Sequence, residues 1–282
     1  MADVLKKIIR AKRDELADLR KATPLEQVKE HALAAPRPRN FFKALTQPNE
    51  KRKINLIAEI KRRSPSAGLI RQDFDVEQLA RTYESAGAQA ISVLTDKLFF
   101  DGRLSYLSQV KQAVSLPVLR KDFIIDEYQV YEARAAGADA VLLIAEALPV
   151  GTLLDLLILA TELHMATLIE VHNAESLMLI RSVFGFPQEH FSLLGINNRD
   201  LATMTTDLAT TARLMSLLEE HVPVVAESGI KTRADVERMI RFGVTAVLIG
   251  ETFMRAADVA GEVRKLMDAG TPGRGDAGTR EA

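Results

Sequence analysis

PVLRKDFIIDEYQVYEARAAGADAVLLI, residues 117–144, decides the fold. A short apolar run (117–121) leads into a helix-period segment, DEYQVYEARAAG, that ends on a glycine, and a second apolar run, ADAVLLIA (138–145), follows at once. Two apolar runs joined by a glycine-closed helix make a strand–helix–strand unit, in which the strands lie parallel and the helix covers one face.

The same rhythm extends in both directions. Upstream lie INLIAEI (54–60) and AISVLT (90–95); downstream lie ATLIEV (166–171), SLLGIN (192–197), VPVVAE (222–227) and TAVLIG (245–250). Centres of the runs fall roughly 23 to 35 residues apart, enough for a strand, a helix and two short loops. VEQLARTYESAG, NAESLMLIRSVFG and RADVERMIRFG supply further helices ending at glycine. Ser85-Ala-Gly-Ala, Ala136-Gly-Ala-Asp and Phe242-Gly-Val-Thr repeat one helix-to-strand junction. Strands this apolar cannot leave a face in water. Eight such units with no reversal and no inserted domain predict an α/β fold, a closed (β/α)8 TIM barrel; an open doubly wound sheet is the alternative.

Residues 1–50 precede the first strand and read as an N-terminal helical extension: helices over 3–21 and 24–34 and a short piece near Phe41–Leu45, separated by Pro36, Pro38 and Pro48. Such an extension packs on the barrel, either capping its bottom or reaching over its top. The barrel is expected over 51–268, and a glycine-rich tail, predicted to be disordered, over 269–282. Gly273, Gly275 and Gly278 in that tail fit GxGxxG, but with no strand before and no helix after they are no dinucleotide site, and Arg274-Gly275-Asp276 is a chance tripeptide.

With 282 residues, 47% of them hydrophobic, the chain can bury a large core. Lys plus Arg (37) nearly balance Asp plus Glu (38), which gives no general attraction for nucleic acid or an anionic membrane. The absence of cysteine removes disulfides, thiolate nucleophiles and Cys-ligated metals. The five histidines show no paired ligand spacing, so no metal is expected. The apolar stretch Ala140–Ala160 is broken by Glu146, Pro149, Gly151 and Asp155, which makes it strand, turn and helix rather than a membrane span. MADVLKKIIRAKRDEL lacks the apolar core of a secretory signal. The expected location is cytoplasmic.

A parallel barrel carries its active site at the C-terminal strand ends. Those ends repeatedly close on ionisable residues: Glu59 and Lys61, Lys121, Glu170, Asn197-Asn198-Arg199, and Glu227. Converging on one mouth, Glu59, Lys61, Lys121, Glu170 and Glu227 suit general acid–base chemistry, although polar strand ends also arise simply from meeting solvent. Glu227-Ser228-Gly229-Ile230, before a helix capped at Thr232, and Ile249-Gly250-Glu251, leading into the final helix, are candidate phosphate cradles after the last two strands. Glu251 fits such a cradle only through its backbone N–H. The basic, turn-rich loop Lys61–Gly68, which includes Ser64, reads as a mobile anion-binding loop, since no aromatic residues interleave with its charges as in a nucleic-acid site. His172 follows Glu170 on the same face and is expected to be a loop residue rather than a ligand for substrate.

These segments identify a resemblance. IAEIKRRSPSAG (57–68), ISVLTDKLFFDG (91–102), residues 117–144, IEVHN (169–173), GINNRDL (195–201), VAESGI (225–230) and AVLIGETFM (246–254) resemble the indole-3-glycerol phosphate synthase family, in order and across nearly the whole barrel. Arg63 and Glu251 depart from its usual pattern. The resemblance implies ring closure, decarboxylation and dehydration of 1-(2-carboxyphenylamino)-1-deoxyribulose 5-phosphate in tryptophan biosynthesis. It implies no metal or organic cofactor, and other tryptophan-pathway enzymes as candidate partners. It also implies Lys121 as general acid, Glu170 as general base, and Glu59, Asn197 and Glu227 as orienting and charge-stabilising groups. Lys61 would meet substrate anions; Ser64, Arg199, Ser228, Gly229, Gly250 and Glu251 would bind substrate or its phosphate, and Phe123 and Ile124 would pack on the aromatic ring. The competing readings are phosphoribosylanthranilate isomerase, a family that generally uses a cysteine absent here, a Schiff-base aldolase using Lys121 or Lys61, and a non-catalytic binding barrel.

Overall fold

The computed structural model describes residues 3–49, 52–184, 191–200, 203–219 and 222–268; the tail expected over 269–282 lies outside them. Three helices lead in, α1 (Asp3–Ala22), α2 (Leu25–Ala34) and α3 (Phe41–Thr46), followed by β1 (Asn55–Ile60) and a small hairpin, β2 (Arg63–Ser64) and β3 (Gly68–Leu69). Then come α4 (Val76–Ser85), β4 (Ala90–Leu94), α5 (Lys97–Phe100), α6 (Ser105–Ala113), β5 (Val118–Lys121), α7 (Glu127–Ala135), β6 (Ala140–Ile144), a 3-10 turn at Ala145–Ala147, and α8 (Val150–Glu162). The chain continues through β7 (Ala166–Val171), α9 (Ala174–Phe184), β8 (Ser192–Asn197), α10 (Ala209–Met215), β9 (Val224–Glu227), α11 (Arg233–Arg241), β10 (Ala246–Ile249), α12 (Glu251–Arg255) and α13 (Val259–Met267).

Among the described residues, eight strands close into a parallel barrel in the order β1-β10-β9-β8-β7-β6-β5-β4, and β1 pairs with β4 to complete the ring. Every residue of β1, β6, β7 and β8 is buried, as strands covered on both faces require. The recurrent junction is the same turn three times: Gly87, Gly137 and Gly243 have φ of 86°, 90° and 80°, and the next residue donates back to Tyr83, Ala133 and Met239. A side chain is disfavoured at that φ, which is why each helix ends on glycine. Asp75, Asp126 and Asp258 cap α4, α7 and α13, and Thr232 and Asp235 form a reciprocal capping box on α11.

The N-terminal helices meet both ends of the barrel. Val4, Leu5 and Ile8 of α1 line the cavity at the C-terminal strand ends. Lys12 is held there, its ammonium 3.0 Å from carboxylates of both Asp96 and Asp122 and 2.8 Å from Glu15. Burial disfavours that ammonium, but Asp122 and Asp96 outweigh the penalty and raise its pKa. Arg20 pairs with Asp126 at 2.6 Å, and α2 packs along α7. The chain then reaches the opposite end: Arg39 donates its backbone N–H to Asp139, just before β6, and Asn55 donates to the carbonyls of Leu45 and Gln47 at the end of α3.

The turn-rich loop after β1 contains an antiparallel hairpin that pairs Arg63–Ser64 with Gly68–Leu69. One local expectation changes. Gly250-Glu251 opens not the final helix but the five-residue α12, which stops at Ala256 in extended backbone (ψ 138°) before Asp258 caps α13.

Replacing Lys12 with methionine removes the cation shared by buried Asp96 and Asp122, of which Asp122 keeps its pairing with Arg120. A stability loss of about 3–5 kcal/mol is expected in denaturant titrations; an unchanged midpoint would show that the cluster does not hold α1.

Candidate active site

Four strands set the chemical layer. Glu59, Lys121, Glu170 and Glu227 come from β1, β5, β7 and β9, which alternate around the ring, and alternate strands are what supply the four side chains of one layer in such a barrel. The intervening strands contribute mostly apolar wall: Leu94 from β4, Leu142 from β6 and Leu248 from β10, with Asn197 from β8 the exception. Together they line a cavity of about 830 Å³.

Lys121 is the centre of the layer. Its ammonium lies 2.7 Å from Glu170 Oε2 and 3.0 Å from Glu227 Oε2. Burial disfavours this charge, yet Glu170, Glu227 and Glu59 outweigh burial and raise its pKa. The two carboxyls part company around it. Glu170 also accepts from Asn197 Nδ2 at 3.1 Å and lies 3.3 Å from His172 Nε2. Burial works against its ionisation, but Lys121 and His172 hold it well below the usual carboxylate range. Burial and the charge of Glu170 push Glu227 up to about 8 despite Lys121, and its Oε1 has no hydrogen-bond partner. Near neutral pH one carboxyl is therefore an acceptor and the other carries a proton.

Glu59 is ion-paired with Lys61, which stands just beyond the end of β1. Two glycines make room for the carboxyls. A Cβ at Gly195 would strike Glu227 Oε1, and one at Gly250 would strike the carboxylate of Glu59. Ser228 and Gly229, which also line the cavity, both have positive φ, 64° and 81°, a conformation uncommon for the serine. Arg199 stands 3.8 Å from Glu251, whose carboxylate also pairs with Arg255 at 3.0 Å. Phe123 meets Phe100 with ring centroids 6.1 Å apart, and both line the cavity.

The expected catalytic and binding residues Glu59, Lys61, Lys121, Glu170, Asn197, Glu227, Ser64, Phe123, Arg199, Ser228, Gly229, Gly250 and Glu251 line this one cavity, whereas Asn198 is buried against Thr211. Ile124 does not line it either: it is buried in the core, 2% exposed. His172 is a loop residue by position, the first after β7, but its ring is buried between Glu170 and Glu146. The role of Glu146 was missed, and α1 was expected over the top only as one of two alternatives, with none of its residues named. Lys12 had left a signal, since it interrupts the apolar stripe Leu5, Ile8, Ile9, Leu16 on its helix. Among the described residues no helix is long and apolar enough to cross a membrane.

A closed parallel barrel with a buried acid–base layer at its C-terminal mouth defines a class of (β/α)8-barrel enzymes. Within that class the chain belongs to the indole-3-glycerol phosphate synthase family, whose model matches residues 5–266. It is 45% identical over 275 residues to the indole-3-glycerol phosphate synthase of Desulforamulus reducens, covering 97% of this chain and 100% of that one. It is 49% identical over 269 residues to that of Neisseria gonorrhoeae, covering 94% and 100%. Solved barrels share the fold at lower identity. A 3-hexulose-6-phosphate synthase from Salmonella typhimurium matches with a TM-score of 0.59 at 15% identity, over 76% of this chain and 97% of that one. A thiamine phosphate pyrophosphorylase from Pyrococcus furiosus matches with a TM-score of 0.54 at 18% identity, over 77% and 96%.

The protonated state of Glu227 is directly observable. Infrared difference spectra between pH 6 and 10 should contain a carboxylic-acid carbonyl band that vanishes as pH rises through about 8 and is missing in Glu227→Gln. Absence of that band in the wild type would mean that Glu227 is ionised.

Proposed function

We propose that this site converts 1-(2-carboxyphenylamino)-1-deoxyribulose 5-phosphate to indole-3-glycerol phosphate, CO2 and water, with Lys121 as general acid and Glu170 as general base. The observation that carries the assignment is the ammonium of Lys121 held between two carboxyls of opposite protonation preference. The ring carbon that bears the carboxylate attacks the ketone carbon, and Lys121 donates a proton to the carbonyl oxygen as it becomes a hydroxyl. Attack leaves positive charge on the anilino nitrogen and ring, which the carboxylates of Glu170 and Glu59 stabilise. Loss of CO2 returns the electron pair to the ring. Lys121, reprotonated from solvent, then protonates the new hydroxyl, which leaves as water while Glu170 takes the proton whose loss completes the indole.

Phosphate is assigned to the loops after β9 and β10, through backbone N–H groups of Ser228, Gly229, Gly250 and Glu251, with Arg199 and Lys61 as the nearby cations. The pairing of Glu251 with Arg255 and Arg199 supports a carboxylate neutralised by its neighbours rather than opposed to the anion. Ser64 is assigned to substrate from the hairpin, and Phe123 to the aromatic half of the substrate, since both line the cavity. A Schiff-base role for Lys121 is disfavoured because the raised pKa keeps its amine protonated and non-nucleophilic. We infer a cytoplasmic location, supported by the cysteine-free composition; docking to other enzymes of tryptophan biosynthesis is a further proposal.

Indole fluorescence of the product tests the assignment. Lys121→Met and Glu170→Gln should each lower turnover about 10²–10⁴-fold with circular dichroism unchanged. Turnover of either folded variant within a few-fold of wild type would remove that residue from its role.

A further inference from the structure

His172 stands outside the cavity, behind the carboxylate assigned as base. Its ring is 8% exposed and lies between two carboxylates: Nδ1 is 3.0 Å from Glu146 Oε2, and Nε2 is 3.3 Å from Glu170 Oε1. Glu146, in the 3-10 turn after β6, also accepts the backbone N–H of His172 at 2.9 Å, so it fixes both the ring and the chain that carries it. Asn173 Nδ2 adds a weaker contact to Glu146 at 3.4 Å.

A neutral imidazole has one N–H and one lone pair, so between two carboxylates it would aim the lone pair at one of them. Nδ1 is within hydrogen-bonding distance of Glu146, whereas Nε2 makes no hydrogen bond and meets Glu170 Oε1 at 3.3 Å as a charge contact, which only the doubly protonated ring makes favourable. The contacts with Glu146 and Glu170 also overcome burial and push its pKa up to about 10. Near neutral pH the order of charges is then Glu146 carboxylate, His172 imidazolium, Glu170 carboxylate, Lys121 ammonium and neutral Glu227.

The placement is asymmetric in a way the central lysine is not. Lys121 reaches Glu170 and Glu227 at nearly equal distance, 2.7 and 3.0 Å, and cannot by itself decide which of them keeps a proton. The imidazolium contacts Glu170 only. We propose that His172 and Glu146 are positioning residues for the base: a buried imidazolium–carboxylate pair, walled off from substrate, that directs the shared proton to Glu227 and holds Glu170 ionised with its Oε1 fixed. This role rests on Glu170 being the base.

Two measurements test it. In an imidazole nitrogen NMR titration, one of the five histidines should stay doubly protonated to about pH 9. Its signal should be missing in His172→Gln, and in Glu146→Gln it should titrate at least about one pH unit lower. In kinetics, His172→Gln should move the acidic limb of kcat upward by about one pH unit or more. KM should stay within about threefold, because neither residue lines the cavity. A neutral His172 at pH 7, or an acidic limb that superimposes on wild type, overturns the proposal. Should His172→Gln fail to fold, Glu146→Gln carries both readouts. Glu170→Gln, assayed beside them, separates the two failures: if it retains activity the base assignment falls and this role with it, whereas its collapse beside an unmoved His172→Gln profile removes only the proposal made here.

Discussion

One buried ammonium governs the chemistry of this barrel. An isolated charge at the position of Lys121 would carry a desolvation penalty of several kcal/mol, and two facing carboxylates remove it only by bringing more charge into the same space. The surplus favours a proton on one of them: burial and Glu170 push Glu227 up to about 8, while Lys121 and His172 hold Glu170 well below the usual carboxylate range. An ammonium with two carboxyls of opposite protonation preference about 3 Å from its nitrogen is thus a consequence of charge balance.

That balance needs the geometry of a closed ring. Because β1, β5, β7 and β9 alternate around it, their inward side chains meet at one level, while residues more than a hundred positions apart in sequence come within hydrogen-bonding distance. Glycine is required where the layer is most crowded, at Gly195 beside Glu227 and at Gly250 beside Glu59. Gly250 therefore has a steric task toward a carboxylate as well as the cradle role expected of it.

The strands, the glycine junctions and the residues facing the mouth were legible in the sequence because a period of two tells inside from outside at a strand end. What lies behind those residues was not. Glu146 looked like a break in an apolar run, and its partner His172 like a loop residue; only the closing of β6 beside β7 brings them together. Lys12 meets Asp96 and Asp122 through a helix whose docking no local pattern specifies. Ile124 failed for a different reason: counting by two from Lys121 keeps Phe123 on the cavity side and turns Ile124 into the core, so the alternation itself excludes it.

The leading helix α1 has a consequence for how the molecule is made. Its counter-charges are encoded far downstream, Asp126 lying 106 residues after Arg20, so when α1 leaves the ribosome it has no surface on which to settle. Its apolar stripe must wait in solvent, or in the hold of a chaperone, until β4 and β5 have been synthesised and their loops present the aspartates. α1 is in this way made before the surface it docks on, and the wall it adds to the cavity waits on the third strand of the ring.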